Sequence, residues 1–363
     1  MRHLLLSACL FPLSLSAQNP VSPERHDDGS ITFRCRAPKA AEVKLRAQWS
    51  KESPALERAA EKDALWSVTL PSVPPGVWEY SFNIDGMTTL DSLNPAFKPQ
   101  RQPQSSILHI PSDPPSPWDW RDVPHGVVHQ HGFFSKALGK PRELWVYTPP
   151  GYDPAKRYPL LVLQHGSGDN HRTWVEHGKA HWILDNLIAD GKAVPMVVLM
   201  LDGHPLGQVP RDNAELRAQS LQAFHRELME EALPLMAASY SLSAGSANRA
   251  LAGLSMGGWQ SLGVGLNELD TFAWIASFSG AAEETTIQSA LQNADSTNSK
   301  LRLLWIACGK EDFLLERNET LVAALKEKGI RHQWHLTEGN HSWPVWREYL
   351  ARLAPLLFRP AQG

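Results

Sequence analysis

Two hydrophobic patterns divide the chain, and the change between them constrains the fold more than any other sequence feature. The C-terminal part contains continuous apolar runs at residues 159–163, 196–201, 249–253, 272–278 and 301–307. Parallel strands that are buried on both faces have such runs. Segments with helical periodicity lie between or after them, at residues 181–189, 214–238, 316–328 and 343–357. This alternation of strand and helix predicts an α/β fold with a parallel or mostly parallel sheet.

Residues from about 21 to 110 have a different, alternating pattern. Apolar side chains occupy every second position in short segments at residues 31–35, 43–45, 65–70 and 77–82. Turns with proline or glycine separate these segments, which predicts a small antiparallel, immunoglobulin-like β-sandwich. A proline-rich stretch follows and predicts a stiff connector. We therefore expect a sandwich domain at residues 18–112, a linker at 113–125 and an α/β domain at 126–363.

The N-terminus has the features of an export signal. Arg2 precedes an apolar run at residues 4–15, and Ser16 and Ala17 supply the small side chains that signal cleavage requires. A disordered N-terminal tail is the alternative. We expect a signal peptide at residues 1–17, although the exact cleavage site stays open, and a secreted or periplasmic protein.

Charge and cysteine content exclude several functional classes. The 363 residues include 35 Lys and Arg against 38 Asp and Glu, for a net charge of −3. This charge balance therefore gives no indication that the chain binds nucleic acid or an anionic membrane. Cys9 would leave with the signal, while Cys35 and Cys308 belong to different predicted domains, so we expect two free thiols. No metal-ligand spacing occurs, and we expect no metal and no cofactor.

A serine motif lies between a predicted strand and a helical pattern. Residues 253–257 read GLSMG and fit the pattern G-x-S-x-G. A sharp turn of this kind holds a serine hydroxyl clear of the backbone, where a neighbouring base can activate it. We expect Ser255 to be a nucleophile; an ordinary glycine-rich turn is the alternative.

The acid and the base of a catalytic triad should follow the serine in that order. Asp312 comes shortly after the predicted strand at 301–307, where active-site residues of open α/β sheets lie. Its neighbour Glu311 is a rival for the same role. His341 lies in the loop before the last helix, which is the position of the base, although a surface histidine is the alternative in a chain with 15 histidines.

Two backbone amides are the expected donors to an oxyanion. One is the N–H of Met256, directly after the nucleophile, and the other lies in the loop after the strand at 159–163, where we place it at Ser167. Four further histidines have no zinc-ligand spacing and are expected to line a pocket or to be structural: His165, His171, His177 and His181.

Several segments, in order along the chain, resemble the putative esterase family. They read YTPPGY, YPLL, HGSG, GLSMGG and GNHSW, at residues 147–152, 158–161, 165–168, 253–258 and 339–343. This family includes feruloyl and acetyl-xylan esterases (carbohydrate esterase family one), enterochelin-esterase-like enzymes, S-formylglutathione hydrolases and mycolyl transferases. Residues 82–86, Asp91 and the Asn-Pro pair at 94–95 resemble the early-set sandwich related to family-48 carbohydrate-binding modules. The resemblance implies an α/β-hydrolase fold with a Ser255, Asp312 and His341 triad.

The resemblance, together with the expected export, implies a secreted serine esterase that acts through an acyl-enzyme. The short segment between the strands at 272–278 and 301–307 leaves little room for a large lid, and an open site suits esters of bulky or polymeric alcohols. Feruloyl or acetyl esters of xylan are therefore the expected substrates. Gln164 and Ser167 stand where relatives often have apolar residues, so two alternatives stay open. These are a siderophore esterase of the enterochelin type and a non-catalytic carbohydrate-binding protein of the same fold. The expected partner is an ester-bearing polysaccharide or oligosaccharide, and the oligomeric state is open.

Aromatic residues of the sandwich have two interpretations. Trp49, Trp66, Trp78 and Tyr80 could stack on sugar rings. Aromatics at alternating strand positions, however, are more often part of a core. We expect this domain to pack against the α/β domain and to form one wall of its cleft.

Overall fold

The structure is a computed structural model that describes residues 20–59, 65–210 and 212–359. The expected signal peptide at residues 1–17 lies outside these residues. Strands of the N-terminal part form two antiparallel sheets, in the orders β1-β2-β5-β4 and β3-β6-β7 with β8 paired to β6. Their bounds are β1 Glu24–Arg25, β2 Ile31–Arg36, β3 Val43–Ala47, β4 Glu57–Arg58, β5 Leu65–Leu70, β6 Gly76–Ile84, β7 Met87–Thr89 and β8 Ser106–Ile110.

A hydrophobic core fills the space between these two sheets. Phe33, Val43, Leu45 and Phe82 are fully buried there, as alternation along their strands requires. The four aromatics with two interpretations all belong to or pack against this core: Trp49, Trp66, Trp78 and Tyr80. The antiparallel sandwich predicted from the sequence is therefore confirmed.

The C-terminal part is built on one eight-stranded sheet in the order β16-β15-β14-β13-β11-β12-β10-β9. The strands from β11 to β16 are parallel, whereas β9 and β10 form an antiparallel hairpin at one edge. The sequence analysis did not detect this hairpin, because β9 is mostly solvent-exposed and has no apolar run. The bounds are β9 Val127–Ser135, β10 Lys140–Thr148, β11 Leu160–Gln164, β12 Val197–Leu201, β13 Arg249–Leu254, β14 Trp274–Phe278, β15 Leu303–Gly309 and β16 Gln333–Thr337.

Helices cover both faces of this sheet. They are α1 Thr173–Glu176, α2 Ala180–Ala189, α3 Ala214–Arg226, α4 Leu233–Ser239, α5 Met256–Gly265, α6 Gln288–Gln292, α7 Ala294–Lys300, α8 Leu315–Glu327 and α9 Trp343–Leu353. The single helix predicted at 214–238 is interrupted by a π-helical turn at Glu227–Ala232. Pro234 follows this turn and has no N–H for a regular helical bond. Between β14 and β15 lie only a 3-10 turn and two short helices, α6 and α7.

The continuous apolar runs are explained by burial on both faces of the sheet. In β11, Leu161 and Leu163 pack into one core cluster, while Leu160 and Val162 pack into the cluster on the opposite face. Because carboxyl ends of parallel strands meet at one edge, the loops after β11, β13, β15 and β16 lie together. Among the described residues, no helix combines the length and hydropathy of a membrane span.

The linker and the sandwich both contact the α/β part. In the proline-rich linker, the Pro117 and Asp119 carbonyls each accept a hydrogen bond of 2.8 Å from Asn186 Nδ2. On α9, the buried guanidinium of Arg347 donates to the Val77 carbonyl of β6 at 2.8 Å. The linker thus belongs to a packed interface and does not act as a loose tether.

The two remaining cysteines are unpaired, as expected. Cys35 and Cys308 are both buried and free. Burial raises the pKa of Cys308 to about 12 and that of Cys35 to about 11. Neither thiol is therefore activated as a nucleophile.

Candidate active site

Ser255 lies on the sharp turn between β13 and α5. Its backbone has φ 51° and ψ −115°, which residues other than glycine rarely adopt. The glycines of the motif permit this turn, since a Cβ atom on Gly253 would lie 2.6 Å from the Gly257 carbonyl. A Cβ atom on Gly257 would lie 2.5 Å from the carbonyl oxygen of His165. The motif is therefore a tightly packed turn that presents a serine, and not an ordinary glycine-rich loop.

His341 links Ser255 to Asp312. Its Nε2 atom lies 2.8 Å from Ser255 Oγ, and its Nδ1 atom lies 2.9 Å from each Asp312 carboxylate oxygen. Because an ionised carboxylate only accepts hydrogen bonds, Nδ1 donates to Asp312 and Nε2 is left to accept the Ser255 proton. This is the arrangement of a nucleophile, a base and an orienting acid.

The environment of Asp312 keeps its carboxylate ionised. Burial disfavours the charge, but the hydrogen bonds from His341 and from the Leu314 N–H outweigh it, and the pKa of Asp312 lies below its ordinary value. The Leu314 N–H donates to Oδ1 at 2.8 Å. Glu311 is exposed, and its backbone N–H bonds to the Gly339 carbonyl instead. Of the two acidic candidates, the structure brings Asp312 to the histidine.

Aromatic rings hold the imidazole from two sides. The centroid of the Phe313 ring lies 4.4 Å from that of His341, and the Trp346 ring meets it edge-on at 4.8 Å. Trp346 is itself fixed by a hydrogen bond of 3.2 Å from its Nε1 to Ser279 Oγ. This packing limits rotation of the imidazole away from Ser255.

The two expected oxyanion donors border one cavity with Ser255. A cavity of about 300 Å³ is lined by Ser255, Met256 and Ser167, among others. Met256 is the first residue of α5, and the first amides of a helix have no carbonyl partner within it. The neighbouring Gly166 passes close to the nucleophile, since a Cβ atom on it would lie 3.5 Å from Ser255 Cβ.

Two buried histidines hold the loop at residues 165–169, here termed the Ser167 loop. His165 Nε2 accepts a hydrogen bond of 2.8 Å from the Gly203 N–H, and His204 Nε2 accepts one of 3.1 Å from the Gly168 N–H. Burial lowers the pKa of His204 to about 4, so its ring is neutral and able to accept at neutral pH. His204 was not among the predicted site residues. The position of His204 just after β12, at the carboxyl edge of the sheet, is the sequence signal that could have identified it as a site residue.

The other histidines of this region are structural. Burial lowers the pKa of His171 to about 4 and those of His177 and His181 to about 3. His171 packs edge-on against Trp145, and His177 against Trp343. Within the described part of the chain, no group of three or more His, Cys, Asp or Glu side chains is arranged to hold a metal ion.

The remaining wall of the cavity combines aromatic and cationic side chains. Trp259 and Phe313 contribute rings, and Arg217 and Arg317 contribute guanidinium groups. Arg217 lies over the Trp259 ring at 5.0 Å and pairs with Glu283 at 2.9 Å. Arg317 is exposed on α8. The sequence analysis identified none of these four residues, because their positions carry no motif.

Comparison with known proteins identifies the family of this chain and supports its fold. A model of the family described as "Putative esterase" matches residues 135–357. An endo-1,4-beta-xylanase/feruloyl esterase of Xylanibacter ruminicola is 30% identical over 349 residues, which are 93% of this chain and 46% of that protein. The chain thus spans less than half the length of this relative.

Solved structures resemble the chain over two thirds or more of its length. The enterobactin esterase of Shigella flexneri has a TM-score of 0.64 at 20% identity and covers 90% of this chain and 92% of its own. A ferulic acid esterase of Anaeromyces mucronatus has a TM-score of 0.58 at 22% identity and covers 66% of this chain and 93% of its own. The predicted α/β-hydrolase fold with an N-terminal sandwich is confirmed.

Proposed function

The chain belongs to the putative esterase family, and we propose that it is an exported serine esterase that cleaves carboxylic esters of plant cell-wall polysaccharide. The observation that carries this proposal is the continuous hydrogen-bonded chain from Asp312 through His341 to Ser255 beside an open cavity. A protein that only binds carbohydrate has no need for a strained serine aligned with a histidine and a buried carboxylate.

The geometry supports a two-step reaction. Ser255 Oγ attacks the ester carbonyl carbon while its proton passes to His341 Nε2, and the resulting oxyanion accepts hydrogen bonds from the N–H groups of Met256 and Ser167. Collapse of this intermediate breaks the bond to the alcohol, which takes the proton from Nε2. Water then attacks the acyl-enzyme, gives a proton to Nε2 and releases the acid, and the proton returns to Ser255. Asp312 holds the imidazole in one tautomer throughout.

Feruloyl or acetyl groups on xylan are the proposed substrates. The cavity is open to solvent beside Ser167, which is exposed, and its walls include the rings of Trp259 and Phe313. Such walls suit a planar aromatic acyl group, while the open side leaves room for a bulky alcohol. The similarity to the endo-1,4-beta-xylanase/feruloyl esterase of Xylanibacter ruminicola supports the same substrate class.

A siderophore ester is the second candidate, and one observation favours it. Arg317 lines the cavity beside Arg217, whose charge is paired with Glu283, and a cationic group such as Arg317 attracts an anionic substrate such as an iron-bound catecholate. The likeness to the enterobactin esterase of Shigella flexneri extends over the sandwich as well.

Hydrolysis rates on three substrates test these proposals. Methyl ferulate, acetylated xylan and enterobactin should be assayed with the wild-type protein and with Ser255→Ala. The xylan proposal requires turnover of the first or second substrate above that of enterobactin, and the reverse ranking would favour the siderophore. Absence of Ser255-dependent hydrolysis on all three, and on p-nitrophenyl acetate, would favour the non-catalytic alternative. Export is tested separately by N-terminal sequencing of the mature protein, which should begin near Gln18.

A further inference from the structure

A short segment of the sandwich domain, residues 98–101, lies directly against the Ser167 loop. Gln100 pairs with Asp169 in an isolated antiparallel bridge, and the Arg101 N–H donates to the Gly168 carbonyl at 2.9 Å. One residue earlier, the Pro99 carbonyl accepts a hydrogen bond of 2.7 Å from Thr173 Oγ1. The loop expected to supply an oxyanion donor is thus paired along its backbone with a strand-like segment from another domain.

The side chain of Arg101 adds a second attachment. Its guanidinium pairs with Asp202 at 3.0 Å and lies 3.4 Å from the His204 carbonyl. His204 in turn accepts the Gly168 N–H through its ring. Arg101 therefore contacts the Ser167 loop with its backbone, and its side chain contacts His204, whose ring accepts the N–H of Gly168 in the same loop.

The Ser167 loop needs such support because its glycines allow its backbone to adopt several conformations. Gly166 and Gly168 flank Ser167, and Gly168 has φ +84°, a conformation open to glycine but strained for other residues. A donor to an oxyanion acts only when its N–H points at the developing charge. A free loop with two glycines would lose that orientation for part of the time.

We propose that Arg101 is a positioning residue for the ester hydrolysis proposed above, on which this inference rests: it holds the Ser167 N–H in place for the oxyanion from outside the catalytic domain. The sandwich then contributes to the chemical step itself. Since donor position matters in the transition state and little in substrate binding, loss of Arg101 should lower kcat and leave KM nearly unchanged.

The test compares Arg101→Ala with Arg34→Ala. Arg34 is a matched control, because it also forms an ion pair, with Glu24 at 2.6 Å, on the same domain but on strand β2. On p-nitrophenyl acetate, we expect Arg101→Ala to lower kcat by about tenfold or more, since full removal of an oxyanion donor typically costs a hundredfold or more. Arg34→Ala should match the wild type, and Arg101→Lys should recover part of the rate because it keeps the charge opposite Asp202.

Inhibition by a boronic acid separates positioning from a general loss of folded enzyme. A boronic acid forms a tetrahedral adduct with the nucleophilic serine, so its inhibition constant should rise by the same factor by which kcat falls. A smaller fraction of folded enzyme would lower the apparent kcat and leave the inhibition constant unchanged. If Arg101→Ala is insoluble, Arg101→Lys serves for the same comparison, with a smaller parallel change expected.

Hydrogen exchange at the Ser167 loop provides a readout that is independent of activity. Peptides covering residues 165–173 should exchange faster in Arg101→Ala than in the wild type and in Arg34→Ala. Unchanged exchange, or an unchanged kcat and inhibition constant in an active enzyme, would overturn the positioning role while the proposed esterase function stands. A wild-type protein without Ser255-dependent ester hydrolysis would instead overturn the proposed function and, with it, this inference.

Discussion

The Nε2 atom of His341 lies 2.8 Å from the Oγ atom of Ser255, although 86 positions separate the two residues in the chain. Ser255 follows β13 and His341 follows β16, and two further parallel strands lie between them in the sheet. Asp312, which follows β15, completes the group. The sheet therefore assembles the site, because each of its parallel strands delivers one loop to the same edge.

Ser255→Ala should abolish ester hydrolysis without unfolding the protein. We expect a loss on the order of 1,000-fold or more in kcat, since the proposed acyl-enzyme cannot form without the Ser255 hydroxyl. The melting temperature should stay within about 2 °C, because alanine keeps the Cβ atom and the side chain is only partly buried. Hydrolysis of p-nitrophenyl acetate and calorimetry check both, with the exposed Ser299→Ala as control. Full activity of a clean Ser255→Ala preparation would exclude this serine as the nucleophile.

Asp312→Asn should lower kcat far more than Glu311→Gln. The amide of asparagine can donate a hydrogen bond to Nδ1, which would favour the wrong imidazole tautomer, and the expected loss is on the order of 1,000-fold. Glu311 is exposed and should matter less than about threefold. Steady-state rates of both variants on one ester decide between them. The opposite ranking would transfer the orienting role to Glu311.

Stability should fall as the pH is lowered, and His177 should cause part of this fall. Burial lowers the pKa of His177, which faces Glu79, Lys98 and Arg347 at the domain interface. Below about pH 6.5 the unfolded chain takes up a proton on this imidazole and the folded chain does not, so each such group removes up to about 1.4 kcal/mol per pH unit. His177→Gln should therefore reduce the slope of unfolding free energy between about pH 6 and pH 4.

Protonation of Glu79 also lowers the free energy of unfolding, at a lower pH than the effect of His177. Burial disfavours its charge, but hydrogen bonds with His177 and Ser105 and the charge of Lys98 hold its pKa well below the ordinary value. Its contribution to stability is present above the ordinary carboxyl pKa and is lost as the pH falls below it. Urea unfolding at several pH values measures the slope, with the exposed His26→Gln in the sandwich as control. An unchanged slope in His177→Gln would show that this histidine takes up its proton equally in both states.

Arg317→Gln should alter selectivity by substrate charge. Arg317 lines the cavity and is exposed, so its effect on an anionic acyl group should be about threefold to tenfold in kcat/KM and weaker at high salt. The p-nitrophenyl esters of succinic and butyric acid provide an anionic and a neutral acyl chain of similar length. We expect loss on the former alone, whereas Arg302→Gln, before β15, should affect neither. Equal loss on both esters would indicate a role in packing.

Trp66→Ala should reduce stability and leave retention by polysaccharide unchanged. Trp66 is buried in the sandwich core, and truncation of such a ring costs about 3 to 5 kcal/mol. With a catalytically silent Ser255→Ala background, binding of the full chain to insoluble xylan should be weak with or without Trp66. The exposed Met87→Ala should change neither quantity. Strong xylan binding that is lost in folded Trp66→Ala would identify this aromatic as a sugar contact.

The parts predicted correctly from the sequence are those with strong local signals. Buried parallel strands produce apolar runs such as residues 159–163, and the G-x-S-x-G turn has a steric requirement that explains its two glycines. Chain order and strand ends restrict where an acid and a base can lie, and the structure brings Asp312 and His341 to Ser255 as this expectation requires, while their catalytic roles stay predictions.

The parts that were not predicted depend on contacts between distant segments. Arg101 and His204 lie 103 positions apart and meet only because the sandwich packs beside the Ser167 loop. Arg317 lines the cavity because of the orientation of α8, and the residue pattern of this helix does not predict that orientation. The hairpin of β9 and β10 lies at the edge of the sheet, where β9 is partly exposed, and the residue pattern of β9 resembles that of a loop.

The hydrogen bond from Arg347 to Val77 has a consequence for the order of events during biosynthesis. These two residues are 270 positions apart, and domains generally fold in the order in which they leave the ribosome. The sandwich can complete its own core early, but the face that receives α9 stays uncovered until residue 347 has been translated. A ribosome stalled before residue 347 would hold a folded sandwich that lacks its partner surface, and only the appearance of α9 would allow the two domains to pack together.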